Sequence, residues 1–223
     1  MRKVEGRLVR DTLDELVAPD VTAVLAIDIQ NDFCADGGHF HRYGKDLSRI
    51  QATLPTMVRF IQEAQELGIP VVFVRQFTLP DGKSDSPAWL RFKTRDGKSP
   101  DYCLPGSWGW QFVDGLVPGK RDTVVEKPRP DGFVRTNLDG VLRAQGIETV
   151  VCLGTTTEGC VESTIRGASY HDYYTVVVGD AVATTTAARH EGSMGLLGAR
   201  YPVHSAEEIL CSWRRAKGAA RAA

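Results

Sequence analysis

This 223-residue sequence predicts an α/β fold, a mostly parallel sheet with helices on both faces. Short apolar runs without polar alternation recur along it and read as strands buried on both sides. Stretches with helical spacing separate these runs, so consecutive strands are joined by right-handed crossovers. The length suits one domain over residues 1–223, enough to cover a central sheet on both faces.

Residues 1–19 are polar and read as an irregular N-terminal extension. Residues 23–27 are uniformly apolar and form the first strand. From 47 to 67, Ile50, Leu54, Met57, Val58, Ile61 and Ala64 share a helix face, and Gly68 stops the helix. Residues 70–74 are the second strand. Residues 76–118 hold many Gly, Pro, Asp and Trp and no sustained period. They read as a long excursion with one or two short helical turns, of a length that usually serves function. The third strand, 123–125, ends at Glu126-Lys127-Pro128. A helix over 138–145 is closed by Gly146, and 149–153 is the fourth strand. A helix over 160–170, a fifth strand at 175–178, a helix near 187–198 and a weak last strand near Val203 follow. Residues 214–223, rich in Ala and Arg, read as a disordered tail.

Lys and Arg number 27 against 28 Asp and Glu, with no long basic block. Neither nucleic acid nor a membrane surface is therefore an expected partner. No apolar run approaches the roughly 20 residues of a bilayer span, and the charged start lacks the apolar core of a secretion signal. The cysteines Cys34, Cys103, Cys152, Cys160 and Cys211 are irregularly spaced, without a CxxC pair. That argues against a disulfide framework and a structural zinc site, and makes the cytoplasm the expected compartment.

Ligands of an open parallel sheet bind beyond the carboxyl ends of its strands. Three reactive residues fall there: Asp28 after the first strand, Lys127 after the third, and Cys160 beyond the fourth, at a helix start. Each alone has a plainer reading, as a cap, a solvated end or a small apolar side chain. Cys152, inside a strand, keeps that last reading. Cys160 differs by position. A helix N-terminus and a nearby lysine both favour the thiolate, which is the nucleophilic form.

Three blocks carry a resemblance: Ile27-Asp28-Ile29-Gln30-Asn31-Asp32-Phe33, then Lys127-Pro128, then Gly154-Thr155-Thr156-Thr157-Glu158-Gly159-Cys160-Val161-Glu162-Ser163-Thr164. In order and spacing they resemble the isochorismatase-like cysteine hydrolases, over about residues 20–210. The resemblance implies a three-layer Rossmann-like fold with a six-stranded, mostly parallel sheet and a catalytic triad of Asp28, Lys127 and Cys160. It also implies an oxyanion hole from the backbone N–H groups of Thr156 and Cys160, and a cis peptide between Thr155 and Thr156. Isochorismatases proper, which cleave a vinyl ether, lack a cysteine at this position, so Cys160 points to C–N hydrolysis. Nicotinamidases bind a metal through Asp-x-His after the second strand. Here that stretch reads Arg75-Gln76-Phe77-Thr78-Leu79-Pro80, so no metal is expected, nor any organic cofactor. His39-x-His41 reads as an exposed loop pair. Gly106-Ser107-Trp108-Gly109-Trp110-Gln111, Lys127-Pro128-Arg129 and the run from Cys160 to Arg166 resemble the branch that holds ureidoacrylate amidohydrolase, biuret hydrolase and N-carbamoylsarcosine amidase.

The implied function is a cysteine-dependent amidohydrolase. It would cleave a C–N bond of a small ureide, carbamoyl compound or amide through a thioester, releasing ammonia or an amine. Two alternatives stand: a larger or maleamate-type acid amide on the same triad, and a non-catalytic binding protein, against which the intact triad argues. Phe33 is expected to wall the pocket, and Gln76 and Thr78 to hydrogen-bond a planar ureide. Trp89 and Trp108 are expected over the site or, equally, in lid packing or a subunit interface. Arg75 and Arg189 are candidates for holding a substrate carboxylate, and His190 reads as a capping or interface residue. The family likeness implies a homodimer or homotetramer.

Overall fold

The computed structural model describes residues 1–222, with side chains as far as residue 219. Strands β1 (Arg2–Val4) and β2 (Arg7–Val9) form an antiparallel hairpin, and helix α1 (Leu13–Leu16) follows. The opening segment is therefore regular, not irregular as its polarity suggested. Its order is local: Glu5 and Gly6 turn the hairpin at positive φ. Thr12 caps α1 by accepting from the Glu15 N–H, while the Glu15 carboxylate accepts from the Thr12 N–H.

The main sheet contains β3 (Thr22–Ile27), β4 (Val71–Gln76), β5 (Thr123–Lys127), β6 (Thr149–Thr155), β7 (Tyr174–Ala183) and β8 (Val203–His204). Its order is β5-β4-β3-β6-β7-β8, and every pair is parallel. Short helices α2 (Asn31–Cys34) and α3 (His39–Arg42) follow β3, and α4 (Ser48–Leu67) leads back to β4. The excursion holds a 3-10 turn at Pro80–Gly82, helix α5 (Pro87–Thr94) and a second 3-10 turn at Trp108–Trp110. Helices α6 (Leu138–Ala144), α7 (Glu162–Tyr170), α8 (Ala187–Gly198) and α9 (Ala206–Ala222) complete the chain. Gly68, at φ 84°, ends α4.

Every residue of β3 is buried because both faces are covered. Val24 and Ala26 join a core with Phe60 and Ile61 of α4 and Leu210 and Trp213 of α9. Ala23, Leu25 and Ile27 join a second core with Leu138 and Leu142 of α6 and Ile165 of α7. Each large apolar side chain removed from water there contributes about 1.5–3 kcal/mol. Residues 214–222 continue α9 and are not a disordered tail. Alanine and arginine are strong helix formers, and Arg214, Arg215 and Lys217 have partners. Arg214 pairs with Glu63 and Glu207, Arg215 with Asp14 at 2.6 Å, and Lys217 donates to the Glu66 carbonyl at 2.8 Å. The final position of that expected tail, residue 223, lies outside the described residues.

From β3 the chain steps outward through β4 to β5, then crosses to β6 on the other side of β3. The β3–β6 boundary is thus a topological switch point, where such sheets open a crevice at their carboxyl ends. Among the described residues no helix is long and apolar enough to cross a membrane.

Candidate active site

Asp28 leaves β3 at φ 50° and is fully buried. Its N–H donates to the Val74 carbonyl at 2.8 Å, and its carbonyl accepts from Thr155 Oγ1 at 2.8 Å. These bonds tie the end of β3 to β4 and β6. The fit between β3 and β6 demands glycine at position 154. Gly154 has φ 127°, and a Cβ there would lie 2.0 Å from the Ile27 carbonyl oxygen.

Lys127 ends β5, two strands from Asp28, and its side chain is completely enclosed. Its stem spans β4, so that Nζ donates to Asp28 Oδ2 at 2.7 Å, Gln76 Oε1 at 3.0 Å and the Arg129 carbonyl at 3.2 Å. All three ammonium protons have acceptors. Asp28 Oδ1 is buried with no hydrogen-bond partner among the described residues.

Cys160 lies in a π-type turn, Thr157–Val161, directly ahead of α7. The Gly159 and Val161 N–H groups both donate to the Thr156 carbonyl, and the Thr155–Thr156 peptide is cis. The thiol is half-buried and couples electrostatically to both Asp28 and Lys127. Burial pushes its pKa up to about 12, the Asp28 charge pushes the same way, and Lys127 opposes them. Desolvation and the neighbouring carboxylate thus work against the thiolate that a helix start and a lysine favour. Burial likewise raises the Asp28 pKa against the pull of Lys127. For Lys127 burial acts downward, but Asp28 and Cys160 prevail and hold it above its ordinary value.

Cys160 opens on a cavity of about 470 Å³, whose lining includes Thr156, Phe33, Gln76, Trp89 and Arg189. Gln76 is partly engaged by the protein: Oε1 accepts from Lys127 and one Nε2 N–H donates to the Phe77 carbonyl at 3.1 Å. Thr78 does not line the cavity, contrary to expectation. It is buried behind the wall, donating to the Tyr102 carbonyl. Trp108 also lies elsewhere, 49 % exposed on a separate groove with Leu54 and Val58, its carbonyl accepting from Asn31 Nδ2. Both follow from the excursion folding back on α2, which a linear pattern does not reveal. Arg75 pairs with Glu126 at 2.9 Å and lies over the Trp110 ring, outside the cavity lining. His190 Nδ1 is 3.0 Å from Thr157 Oγ1 and so braces the Cys160 turn.

His39 and His41 do not act as a pair. His41 is exposed, whereas His39 is buried in α3, lines the cavity and has its pKa lowered to about 4 by burial. Among the described residues no group of three or more His, Cys, Asp or Glu is placed to hold a metal ion. Two residues of the first motif have roles that sequence reasoning missed. Gln30 Nε2 donates to the Gln76 and Trp110 carbonyls, and its Oε1 accepts from the Gln76 N–H. The Asp32 carboxylate accepts from the His39 N–H at 2.9 Å and the Cys103 N–H at 2.6 Å. The available signal was a polar run directly after a buried strand, where the backbone of neighbouring loops needs partners.

Residues 22–207 match the isochorismatase domain family. A ureidoacrylate amidohydrolase, RutB, from Methylobacterium radiotolerans is 35% identical over 173 residues, covering 73% of this chain and 67% of the relative. The RutB of Agrobacterium fabrum is 32% identical, over 73% of this chain and 76% of its own. The structure of N-carbamoylsarcosine amidase from Thermoplasma acidophilum superposes with a TM-score of 0.63 at 28% identity, over 83% of this chain and 96% of that one. A cysteine hydrolase from Pseudomonas syringae shares the fold with a TM-score of 0.75 at 24% identity, over 96% of this chain and 100% of that one. With the matching blocks, sheet order and relatives in agreement, the chain is a hydrolase of the isochorismatase domain family.

Proposed function

We infer that this chain is a cysteine-dependent amidohydrolase that cleaves a C–N bond of a small ureide, carbamoyl compound or amide. Cys160 is the nucleophile, Asp28 the proton carrier and Lys127 the stabilising cation. What carries this is the convergence of the three from beyond the ends of β3, β5 and β6, with Cys160 facing the cavity and the Asp28–Lys127 pair buried behind it. The names of the relatives, an amidohydrolase and an amidase, support C–N chemistry.

Burial and the Asp28 charge favour the protonated thiol in the resting site, against the pull of Lys127. Asp28 Oδ1, open and buried, accepts that proton as the sulfur attacks the carbonyl carbon. Lys127 stays cationic and offsets the charge gathering on sulfur and oxygen. The backbone N–H groups of Thr156 and Cys160 receive the oxyanion, a kind of donor whose loss costs ~10²–10³-fold in rate. Asp28 then gives the proton to the leaving nitrogen, the C–N bond breaks, and ammonia or an amine departs. Water, deprotonated by Asp28, hydrolyses the thioester and the thiol is restored. These steps call on no metal or organic cofactor.

The cavity volume suits a small molecule. Of the cations in its lining, Lys93 pairs with Asp85, Lys98 with Asp96 and Arg189 with Glu158, which leaves a surplus of positive charge with Lys45 and Arg95. That balance favours an amide or ureide bearing a carboxylate, maleamate-type acids included. We further propose one domain, a cytoplasmic setting and a homodimer or homotetramer, the last open to analytical ultracentrifugation. On a ureide and amide panel scored by ammonia release, Cys160→Ala is expected to lose more than about 10³-fold in kcat with unchanged circular dichroism. Hydrolysis surviving that substitution would overturn the proposal.

A further inference from the structure

The geometry points to Asp85 as a positioning residue for this hydrolysis: it straps helix α5 over the cavity through Lys93 and, through Arg129, fixes the carbonyl that receives Lys127. The inference rests on the triad role proposed for Lys127.

Asp85 lies in the excursion, seven residues ahead of the cavity-lining Phe92, and its side chain is completely enclosed. Its two oxygens face two cations. Lys93 Nζ donates to Oδ2 at 2.7 Å, and Arg129 Nη1 donates to Oδ1 at 3.2 Å. Lys93 is 3 % exposed and Arg129 13 % exposed, so this is a buried three-charge cluster at the cavity edge. A buried carboxylate holding two cations is costly to disturb, because removing it leaves both charges without water or partner.

The cluster holds two things. The first is the lid. Helix α5 contributes Trp89, Phe92 and Lys93 to the cavity lining, yet none of its residues is buried as a whole. Little apolar packing secures it. Trp89 stacks on Phe92, Arg129 lies over the Trp89 ring at 5.1 Å, and Lys93 lies over Tyr102 at 4.5 Å. Asp85 joins α5, through Lys93, to the segment after β5, through Arg129. Burial lowers the Lys93 pKa, and Asp85 and Asp101 oppose this.

The second is the triad. Arg129 is two residues past Lys127, and its carbonyl is one of the three acceptors of Lys127 Nζ. Its guanidinium is fixed by Asp85, by the Pro128 carbonyl at 2.6 Å and by the Ser84 carbonyl at 3.3 Å. Asp85 thereby sets both how the cavity is covered and where the lysine ammonium points. A sub-ångström error in such placement is enough to cost a large rate factor.

The test compares Asp85→Asn and Lys93→Met with the wild-type chain. Steady-state kinetics on the best substrate of the panel are read beside the rate of N-ethylmaleimide labelling of Cys160, followed by peptide mass mapping. For Asp85→Asn, kcat/KM is expected to fall roughly 10–100-fold, with both kcat and KM affected. Labelling of Cys160 should accelerate severalfold as α5 loosens. Lys93→Met keeps the Asp85–Arg129 bond, so it should move KM more than kcat while also speeding labelling. A folded Asp85→Asn chain with wild-type kcat, KM and labelling would overturn the inference. If that variant does not fold, an unchanged KM and labelling rate in Lys93→Met overturns it instead. Labelling reports the lid whether or not Cys160 is the nucleophile. Failure of the functional proposal is separately visible as activity in Cys160→Ala.

Discussion

Lys127 and Asp28 form a sealed ion pair, 0 % and 1 % exposed, and neither charge has access to bulk water. Such a pair is held for what it does, since an apolar pair of like volume is often as stable. Lys127→Met should leave the Asp28 carboxylate unpaired and cost about 3–5 kcal/mol in urea unfolding. Adding Asp28→Asn should return most of that stability and none of the activity. A Lys127→Met chain as stable as the wild type would show that the pair is not buried as described. His39 allows a test by pH. Its pKa is lowered from 6.5 to about 4 by burial, so the folded chain refuses a proton that the unfolded chain accepts. Stability from this residue is complete above about pH 6.5 and falls as pH drops from there towards 4, by a few kcal/mol at most. His39→Phe should flatten that part of the unfolding profile relative to wild type. Parallel profiles would contradict a buried, neutral His39.

At the scale of elements, the strands and the long helix α4 were legible because their apolar runs and 3.6-residue spacing report burial directly. The ends of the chain were not. The β1–β2 hairpin is exposed, and its order comes from a turn and a cap. The last stretch of α9 is held by ion pairs to α4 and α1, residues remote in sequence. Trp213 anchors this helix, packing on Phe60 and donating through Nε1 to the Val17 carbonyl at 2.7 Å. Trp213→Ala should cost about 3–5 kcal/mol, read as a fall in the denaturation midpoint. A shift below about 1 kcal/mol would mean that α9 is dispensable. The junction of β3 and β6 is equally specific. Gly154→Ala would force a methyl against the Ile27 carbonyl, and should destabilise the chain and lower activity together. An Ala variant with wild-type stability and turnover would contradict the close approach of these strands.

For the whole molecule, the site is a consequence of strand order. Crossing from β5 back to β6 sets Asp28 and Cys160 on neighbouring strands, and Lys127 reaches them across β4. The positions of Asp28, Lys127 and Cys160 at strand ends were readable from sequence, since a parallel sheet gathers such ends on one side. What surrounds them was not. Thr78 and Trp108 belong to an excursion whose path is set by Asp32, Gln30 and Asp85, buried polar groups with partners far along the chain. The thiol's surroundings were hidden for the same reason: helix position is local, but desolvation and the Asp28 charge come from the assembled site.

In the proposed mechanism Cys160 carries the acyl group during turnover. Acid quenching during turnover with the best ureide or amide substrate, followed by peptide mass spectrometry, tests it directly. An added acyl mass is expected on the peptide containing Cys160, appearing with substrate and lost on its exhaustion. Active turnover with Cys160 unmodified at every quench time, and an adduct on another residue, would contradict it.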